Sequence, residues 1–460
     1  MLHLQFVIQT RMRKILIFSV VALCVYSCTQ DRMPDLINMD LELESLISRS
    51  APDDQGLDFY ILPDESDLAN IPQDLENNPL TPEKVELGKF LFFETGFATN
   101  ATYASGMGTY SCASCHVPEA GFKSGNFQGI ADGGVGFGIN GEDRRSSPDY
   151  QHNELDVQAA RPLSLLNVAF VQNTTWNGRF GDTGPNEGTE AFWKERDGTI
   201  HNGDGFASIE TQNFEGLETH RIHITKELID EFGYTELFDA SFPELSEADR
   251  YSNHGGSLAI SAYIRTLLSN RAPFQNWLKG DRDALSREEK LGGILFFGKA
   301  NCSNCHFNEN LGSQEFHALG VKDISDRSFY KTTDAEVQDR NLGRGSFTGD
   351  PMDNYRFKVP QVYNVGDAPF YFHGSSAREL SDLIEYKDMA ETENDRIPQQ
   401  QLSEKFVPLN LTVEEKAQLQ LFLEKSLRDP DLIRYKPTAL KSGNCFPNND
   451  PRSREDLGCN

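Results

Sequence analysis

Two copies of one short pattern carry the side chains best suited to redox chemistry: a cysteine pair with two residues between, followed directly by a histidine. The copies are Cys112, Cys115 and His116, and Cys302, Cys305 and His306. This is the attachment pattern of c-type haem, because two thiols at that spacing reach the two vinyl groups of one porphyrin while the histidine meets the iron as proximal ligand. The motifs predict two covalent haems.

Other sites built on cysteine pairs fit the spacing less well. A zinc site would hold its ligand pairs within about 20 residues of each other, whereas these pairs begin at Cys112 and Cys302. A redox dithiol of the thioredoxin type would lie in a βαβ unit, and the sequence shows no such context.

The beginning of the chain resembles a targeting segment. Basic residues at positions 11–14 precede an apolar stretch over residues 15–25 and then Cys28. A basic region followed by a short apolar one indicates export, and a cysteine directly after it resembles a bacterial lipoprotein signal. Residues 1–27 are therefore predicted to be removed and Cys28 to anchor the protein in the periplasm or cell envelope; a plain signal peptide is the alternative. Residues 28–60 are polar and acidic and predict a flexible tether.

The tail over residues 431–460 is rich in Gly, Asn and Pro and contains Cys445 and Cys459. Exported proteins reach an oxidising compartment, where paired cysteines form disulfides. A disulfide between these two residues is predicted.

Composition sets the wider limits. The 460 residues are 38% hydrophobic and carry a net charge of −27. This length supports two or three domains, each with its own core. An acidic chain without a basic stripe is a poor candidate for binding nucleic acid, and beyond the N-terminus no apolar run approaches the length of a membrane-spanning helix.

The two motifs have similar surroundings. A helical pattern precedes each, over residues 85–93 and 290–297; Thr81-Pro82 starts the first, and a capping box of Ser286 and Glu289 starts the second. Further helices are predicted over residues 254–268, 380–386 and 412–426, the last with a Thr412/Glu415 capping box.

A second repeated block follows each motif. Residues 161–168 (R-P-L-S-L-L-N-V) lead to W-N-G, and residues 358–365 (K-V-P-Q-V-Y-N-V) lead to F-H-G. The repeat predicts a mostly α fold with long loops, in which two cytochrome c-like haem domains arose by internal duplication. Their predicted bounds are residues 61–278 and 279–430.

Together these blocks resemble the bacterial di-haem cytochrome c peroxidase family, which includes the MauG-like enzymes. The resemblance runs from about residue 60 to 430 and is carried by L-G-K-x-L-F-F before the first motif, the paired C-x-x-C-H, N-V-A-F…W-x-G-R, and K-V-P-x-x-x-N-V. It implies that His116 serves a peroxidatic haem and His306 an electron-transferring haem. Trp176, in the position of the family's W-D-G-R tryptophan, would lie between them; Asn177 replaces the usual Asp.

The resemblance also indicates where the pocket base lies. Heterolysis of peroxide needs a group that moves a proton from the near oxygen to the far one, and the family places a Glu after a Gln-x-x-x-Gly stretch. Gln212 begins that stretch here, but its ending departs from the family's. Glu218 is preferred because it is closer to His220 and Arg221; Glu215 and His220 are the alternatives.

Axial ligands are implied in the same way. A detachable His on the peroxidatic iron would correspond to His152, unless that iron is five-coordinate. The second iron would take a Met, as in peroxidases, or a Tyr, as in MauG-like members, and the helix after the F-H-G turn offers Met389 and Tyr386, with Met389 preferred. The family's calcium is in doubt because its Asn ligand would fall near Arg161, although backbone oxygens near Pro360 remain available.

The function implied first is reduction of hydrogen peroxide to water by a cytochrome c peroxidase-type oxidoreductase. The electrons would come from a small donor, a cytochrome c or a cupredoxin. The alternatives are MauG-like oxidation of a protein or organic substrate, and passive electron transfer without peroxide chemistry. A homodimer is compatible with the family. The donor, the second iron's ligand and any need for reductive activation stay open at the level of sequence.

Overall fold

The computed structural model describes residues 33–52, 55–195, 198–326, 330 and 334–459. The predicted signal segment and Cys28 lie outside these residues. The described helices are α1 (Met33–Ser50), α2 (Pro82–Phe93), α3 (Ser208–Thr219), α4 (Lys226–Phe232), α5 (Thr235–Ser241), α6 (Glu247–Arg250), α7 (Asn253–Arg265), α8 (Pro273–Leu278), α9 (Arg287–Phe297), α10 (Asp334–Asn341), α11 (Gly345–Thr348), α12 (Leu380–Met389), α13 (Val413–Leu421) and α14 (Pro451–Leu457). The predicted mostly α class is confirmed.

Strands are few and short in the described ranges. Two antiparallel pairs are present: β1 (Gly134–Val135) with β2 (Arg145–Ser146), and β3 (Phe316–His317) with β4 (Phe357–Lys358). None of the described helices has the length and apolar character needed to cross a membrane. Long loops and short 3₁₀ turns join the helices, as the high Gly and Pro content predicts.

The part of the fold that contains the first cysteine motif, called the first half below, is organised around the contact of α2 with α7. A Cβ atom on Gly88 would lie 1.9 Å from the carbonyl oxygen of Ala259, so only glycine allows the two backbones to approach this closely. Aromatic rings fill the space beside this crossing, among them the fully buried Phe92 and Tyr263.

The part that contains the second cysteine motif, called the second half below, repeats this arrangement with α9 and α13. Here a Cβ on Gly292 would lie 2.1 Å from the carbonyl oxygen of Gln418. The predicted helix over residues 412–426 is α13 continued by one π-helical turn, Phe422–Ser426. Each motif histidine therefore follows a helix that is pinned to a partner helix at a glycine.

Side-chain caps fix where these helices begin. The Thr81 hydroxyl accepts from the backbone N–H of Lys84 at the start of α2. The predicted capping boxes of Ser286 with Glu289 and of Thr412 with Glu415 are both present. These contacts satisfy N–H groups that have no partner inside the helix.

The C-terminal tail is closed by the predicted Cys445–Cys459 disulfide. The tail packs against residues of the first half that are distant from it in the sequence. The Ser111 hydroxyl donates to the Pro447 carbonyl at 2.9 Å, and the Asp456 carboxylate accepts from the Phe137 N–H at 2.9 Å. The tail thus supports the loop that leads into the first motif.

The segment predicted to be a tether is instead a helix from residue 33 onwards. One face of α1 packs into the core of the second half, where Leu43 and Ile47 are fully buried. Asp40 forms an ion pair with the buried Lys290 at 2.9 Å and accepts from Trp277 Nε1 at 2.8 Å. The tether prediction is therefore wrong over the helix. Apolar residues recur among the polar residues of this segment at helical spacing, so they form one face that can be buried.

This packing generates a stability prediction. Leu43→Ala removes a fully buried side chain and should lower the free energy of unfolding by about 2–5 kcal/mol. Leu41 is 58% exposed on the same helix, so Leu41→Ala is the matched control and should change it little. Denaturant unfolding of both variants measures the difference. Equal stabilities would mean that α1 does not belong to the core.

Candidate active site

Each cysteine motif lies on a short 3₁₀ turn, Cys112–Ser114 in the first half and Cys302–Asn304 in the second. The following histidine closes the turn: the N–H of His116 donates to the Cys112 carbonyl at 3.1 Å, and that of His306 to the Cys302 carbonyl at 3.0 Å. The turn brings the thiols and the imidazole of one motif to one place. All four motif cysteines are free thiols.

Both motif histidines are held through Nδ1. His116 contacts the Phe122 carbonyl at 3.1 Å and His306 the Leu311 carbonyl at 3.0 Å. A carbonyl can only accept, so Nδ1 carries the proton and Nε2 keeps its lone pair. Burial lowers the pKa of each histidine to about 4, which leaves both rings neutral at pH 7 and able to bind a metal through Nε2.

A cavity of about 240 Å³ opens beside the first motif. Cys112, Cys115 and His116 line it, and α3 forms part of its wall with Gln212. His220, at the C-terminal end of α3, completes this polar part of the lining.

His220 is paired with a carboxylate that sequence analysis did not identify. Its Nδ1 lies 2.8 Å from Asp156 Oδ2, and Asp156 also lines the cavity. Burial lowers the pKa of His220, but the charge of Asp156 and its hydrogen bond outweigh burial and leave this pKa above its ordinary value. Within the described ranges no group hydrogen-bonds Nε2, which is therefore available to a ligand.

The structure does not bring the two candidate glutamates to this cavity. Glu218 is exposed, and Glu215 accepts a hydrogen bond from the Thr219 hydroxyl at 2.7 Å. The cavity face of α3 contains positions 209, 212, 213, 216 and 217, and neither glutamate is on it. Of the three candidates Glu218, Glu215 and His220, only His220 lines the cavity.

The predicted detachable ligand is also elsewhere. His152 is exposed, and its ring contacts that of Tyr330 with centroids 5.4 Å apart. It does not line the cavity beside His116.

A second cavity, of about 200 Å³, lies beside the second motif. Cys305 and His306 line it, and α12 contributes Leu380, Leu383 and Lys387. These three positions share one helical face.

Neither predicted ligand of the second iron lies on that face. Met389 is 48% exposed. The Tyr386 hydroxyl donates to the Leu319 carbonyl at 2.6 Å, and its ring stacks on Phe406 with centroids 5.4 Å apart. The structure thus places both Met389 and Tyr386 outside the lining of the second cavity.

Trp176 lines both cavities, as the resemblance implies for a residue between two haems. Its Nε1 donates to the Arg161 carbonyl at 2.6 Å. Its ring makes edge contacts with Phe357 and His373, which stack on each other with centroids 3.6 Å apart. A continuous aromatic group therefore joins the two cavities.

Three cations face the same junction. Arg161 and Lys358 are buried and line both cavities, and Lys123 lines the second. In the part of the chain that the structure describes, no carboxylate lies within ion-pair distance of any of them. Burial lowers the pKa of Arg161 to about 10 and those of Lys123 and Lys358 to about 7.

Taken together, the cysteines, histidines and cations that line the two cavities fit a bound haem. Buried charge is costly unless it is paired, and the Nε atom of Arg161 is buried without a partner among the described residues. Haem carries carboxylate side chains that would supply the missing negative charge. Free thiols, a neutral imidazole and unpaired cations thus occur together at both cavities.

A small metal ion fits the second motif less well. Cys305, Glu315 and His317 have ligand atoms within 4.8 Å of one another. However, Glu315 accepts from Lys405 Nζ at 2.7 Å, and the His317 ring contacts Glu315 through Nε2 and the Ser403 hydroxyl through Nδ1. The cluster is satisfied internally, so it gives the zinc alternative no support.

Comparison with known proteins supports the family resemblance. Residues 82–283 match the family described as "Di-haem cytochrome c peroxidase". The chain is a relative of the di-haem cytochrome c peroxidases. The resemblance inferred from the sequence motifs is thereby confirmed, and the family implies two c-type haems.

Individual relatives agree with this. The methylamine utilization protein MauG of Methylorubrum extorquens is 27% identical over 364 residues, which cover 77% of this chain and 81% of that protein. Cytochrome c551 peroxidase of Pseudomonas aeruginosa is 27% identical over 311 residues, covering 68% and 73%. The crystal structure of a MauG-like protein associated with microbial copper homeostasis superposes with a TM-score of 0.54 at 25% identity, covering 81% of this chain and 96% of that one.

Proposed function

We propose that this protein is a di-haem peroxidase that reduces hydrogen peroxide to water with electrons from a small redox protein. The observation that carries the proposal is the asymmetry of the two cavities. Both contain a motif histidine and share Trp176. Among the described residues, His220 and Asp156 both line the first cavity, whereas the carboxylate partners of His317 and His373 lie outside the lining of the second. A passive electron carrier has no use for such a pair.

The two cysteine motifs would hold the haems, with His116 and His306 as proximal ligands. Haem, when bound, would supply the redox-active iron, and the two electrons that peroxide consumes would come from the small donor protein. In the reaction one hydrogen peroxide, two electrons and two protons give two molecules of water. The proton transfers are the part of this chemistry that the protein's own side chains perform.

His220 is the proposed acid and base. Its neutral Nε2 accepts the proton of one peroxide oxygen and returns it to the other, so that the O–O bond breaks with water as the leaving group. Asp156 accepts from Nδ1–H, which fixes the ring orientation and stabilises the imidazolium that forms in between. Gln212 lines the same cavity and offers an amide to the bound substrate.

Trp176 and the buried cations have separate roles. Trp176 provides the aromatic contact between the cavities for electrons that enter at the second haem. The guanidinium of Arg161 supplies positive charge at the junction, and we infer that it replaces the calcium ion typical of the family. Activity should then be independent of calcium.

The remaining features of the proposal concern origin and location. We infer an internal duplication from paired local geometry: Asn167 and Asn364 both have left-handed backbones, with φ of 57° and 51°, and their N–H groups bond to Leu267 and Leu427. The export signal, and with it a periplasmic or envelope location with a lipid at Cys28, rests on the sequence alone. So does a homodimer.

A second candidate function is MauG-like oxidation of a protein or organic substrate. The likeness to MauG and to a MauG-like structure favours it. It differs from the first in the fate of the oxidising equivalents, so peroxide turnover with a reduced cytochrome as sole donor separates the two.

Haem content is the first prediction. The purified protein should hold two covalent haems, and the double variant Cys302→Ala/Cys305→Ala should hold one. A pyridine haemochrome assay after extraction with acidified acetone counts them. Two haems remaining in the double variant, or none bound covalently in the wild type, would contradict the assignment of these motifs.

The second prediction tests the base. His220→Gln should slow peroxide-dependent oxidation of a reduced c-type cytochrome by about 10²–10⁴, with both haems still bound. Glu218→Gln is the matched control on the exposed face and should stay within a factor of a few of the wild type. The reverse pattern would return the base role to Glu218, and equal rates in all three proteins would remove it from this region.

The third prediction concerns pH. His220 must be neutral to accept a proton, so the rate should fall as pH drops through its raised pKa. In Asp156→Asn the charge of the carboxylate is lost; burial and the charge of Arg221 then outweigh the remaining effect of Glu215 and lower the pKa of His220. The acid limb of the pH–rate profile should therefore move to lower pH. An unchanged limb would show that His220 does not govern it.

A further inference from the structure

We propose that Lys387 is the sixth ligand of the second haem iron, in place of the methionine or tyrosine expected there. The inference rests on the proposed attachment of haem to Cys302 and Cys305. It starts from α12, whose face at the second cavity presents only Leu380, Leu383 and Lys387. Of these, only lysine has an atom with a lone pair to donate, the neutral Nζ.

The neighbouring candidates are engaged or remote. Tyr386 gives its hydroxyl proton to the Leu319 carbonyl at 2.6 Å, and Met389 is half exposed at the end of the helix. To reach the cavity, α12 would have to rotate, which would take Leu380 and Ile384 out of the core of the second half.

The histidines that line this cavity besides His306 have partners. His373 Nε2 lies 2.7 Å from Asp323, and both ring nitrogens of His317 are engaged. By contrast, Lys387 has no ion pair and no hydrogen bond among the described residues. Its ammonium lies near the ring of Phe406, with Nζ 5.9 Å from the centroid.

An unpaired ammonium at a cavity that already holds the cations Arg161, Lys123 and Lys358 is unfavourable, since burying charge without a partner costs free energy. Coordination removes that charge: Nζ releases one proton to solvent and shares its lone pair with the iron opposite His306. The two axial ligands of the iron would then be an imidazole nitrogen and an amine nitrogen. The position of Lys387 on α12 would thus remove an unpaired positive charge and supply the sixth ligand of the iron.

An ion pair with a haem carboxylate is the competing role for Lys387, and position disfavours it. The thiols of Cys305 and Cys302 interact electrostatically with Lys387. They mark the vinyl-bearing edge of the porphyrin, whereas the carboxylates leave the opposite edge. Arg161, Lys123 and Lys358 already provide cations at the junction with the first cavity.

Four variants of the haem-loaded protein test this. Lys387→Ala should lose the low-spin EPR signal of one haem and leave the other unchanged. Lys387→Met should restore a low-spin iron, add the near-infrared band of thioether ligation and raise that haem's reduction potential, because Met ligation favours the reduced state. Met389→Leu and Tyr386→Phe are the controls and should keep the wild-type spectra.

Lys387→Arg separates ligation from ion pairing. Arginine keeps the positive charge but stays protonated, so it should lose the low-spin signal as alanine does. A wild-type spectrum in Lys387→Arg, or loss of the low-spin signal in either control, would overturn the proposal. Loss of covalent haem from the wild type would instead refute the proposed function, so the two failures are distinguishable by the haem assay.

Discussion

The guanidinium of Arg161 is buried between two cavities, and much of the structure can be understood from that single placement. Its backbone carbonyl receives the Trp176 indole N–H, and its own N–H donates to the His373 carbonyl. The loop that carries it is thus tied to both halves at once. A charge in such a place needs an anion, and the described carboxylates do not provide one. The carboxylate groups of a bound haem would supply that anion.

Much of this architecture could be predicted from local sequence. The starts of α2, α9 and α13 carry caps whose chemistry requires only three or four residues, and all were predicted correctly. The tail disulfide follows from composition and export. The helix α1 was missed although its signal is present: Met39, Leu43 and Ile47 lie at helical spacing among acidic residues. The acidic composition of this segment favours a tether and masks the helical periodicity of its apolar residues.

The acid–base residue could not be chosen from sequence for a different reason. Glu215, Glu218 and His220 lie within six positions, and only the way α3 ends decides which of them faces inward. The helix stops at Thr219, so the chain turns at His220, and Arg221 follows in a left-handed conformation with φ of 57°. The partner of His220 lies 64 positions earlier, in a loop without periodic signal.

The second iron's ligand was within reach of simple geometry. From Leu380, an apolar residue that begins α12, the same face returns at positions 383 and 387, whereas 386 and 389 fall beside it. Residue type drew attention to Tyr386 and Met389 because those are familiar ligands. Lysine is unfamiliar there mainly because its ammonium must first lose a proton, a cost that a buried, apolar site reduces by disfavouring the charged form.

The two halves therefore position the motif histidine in the same way but differ in the residues that line the cavity beside it. Each holds its proximal imidazole through Nδ1 on a carbonyl, at residues with left-handed backbones, Phe122 and Leu311. The residues that line the two cavities differ: in the first, His220 and Asp156 form a polar pair that can move protons, and in the second, α12 contributes two leucines and Lys387. An iron with a fixed sixth ligand exchanges electrons without opening a position to peroxide, so the lysine confines the substrate to the half that can protonate it.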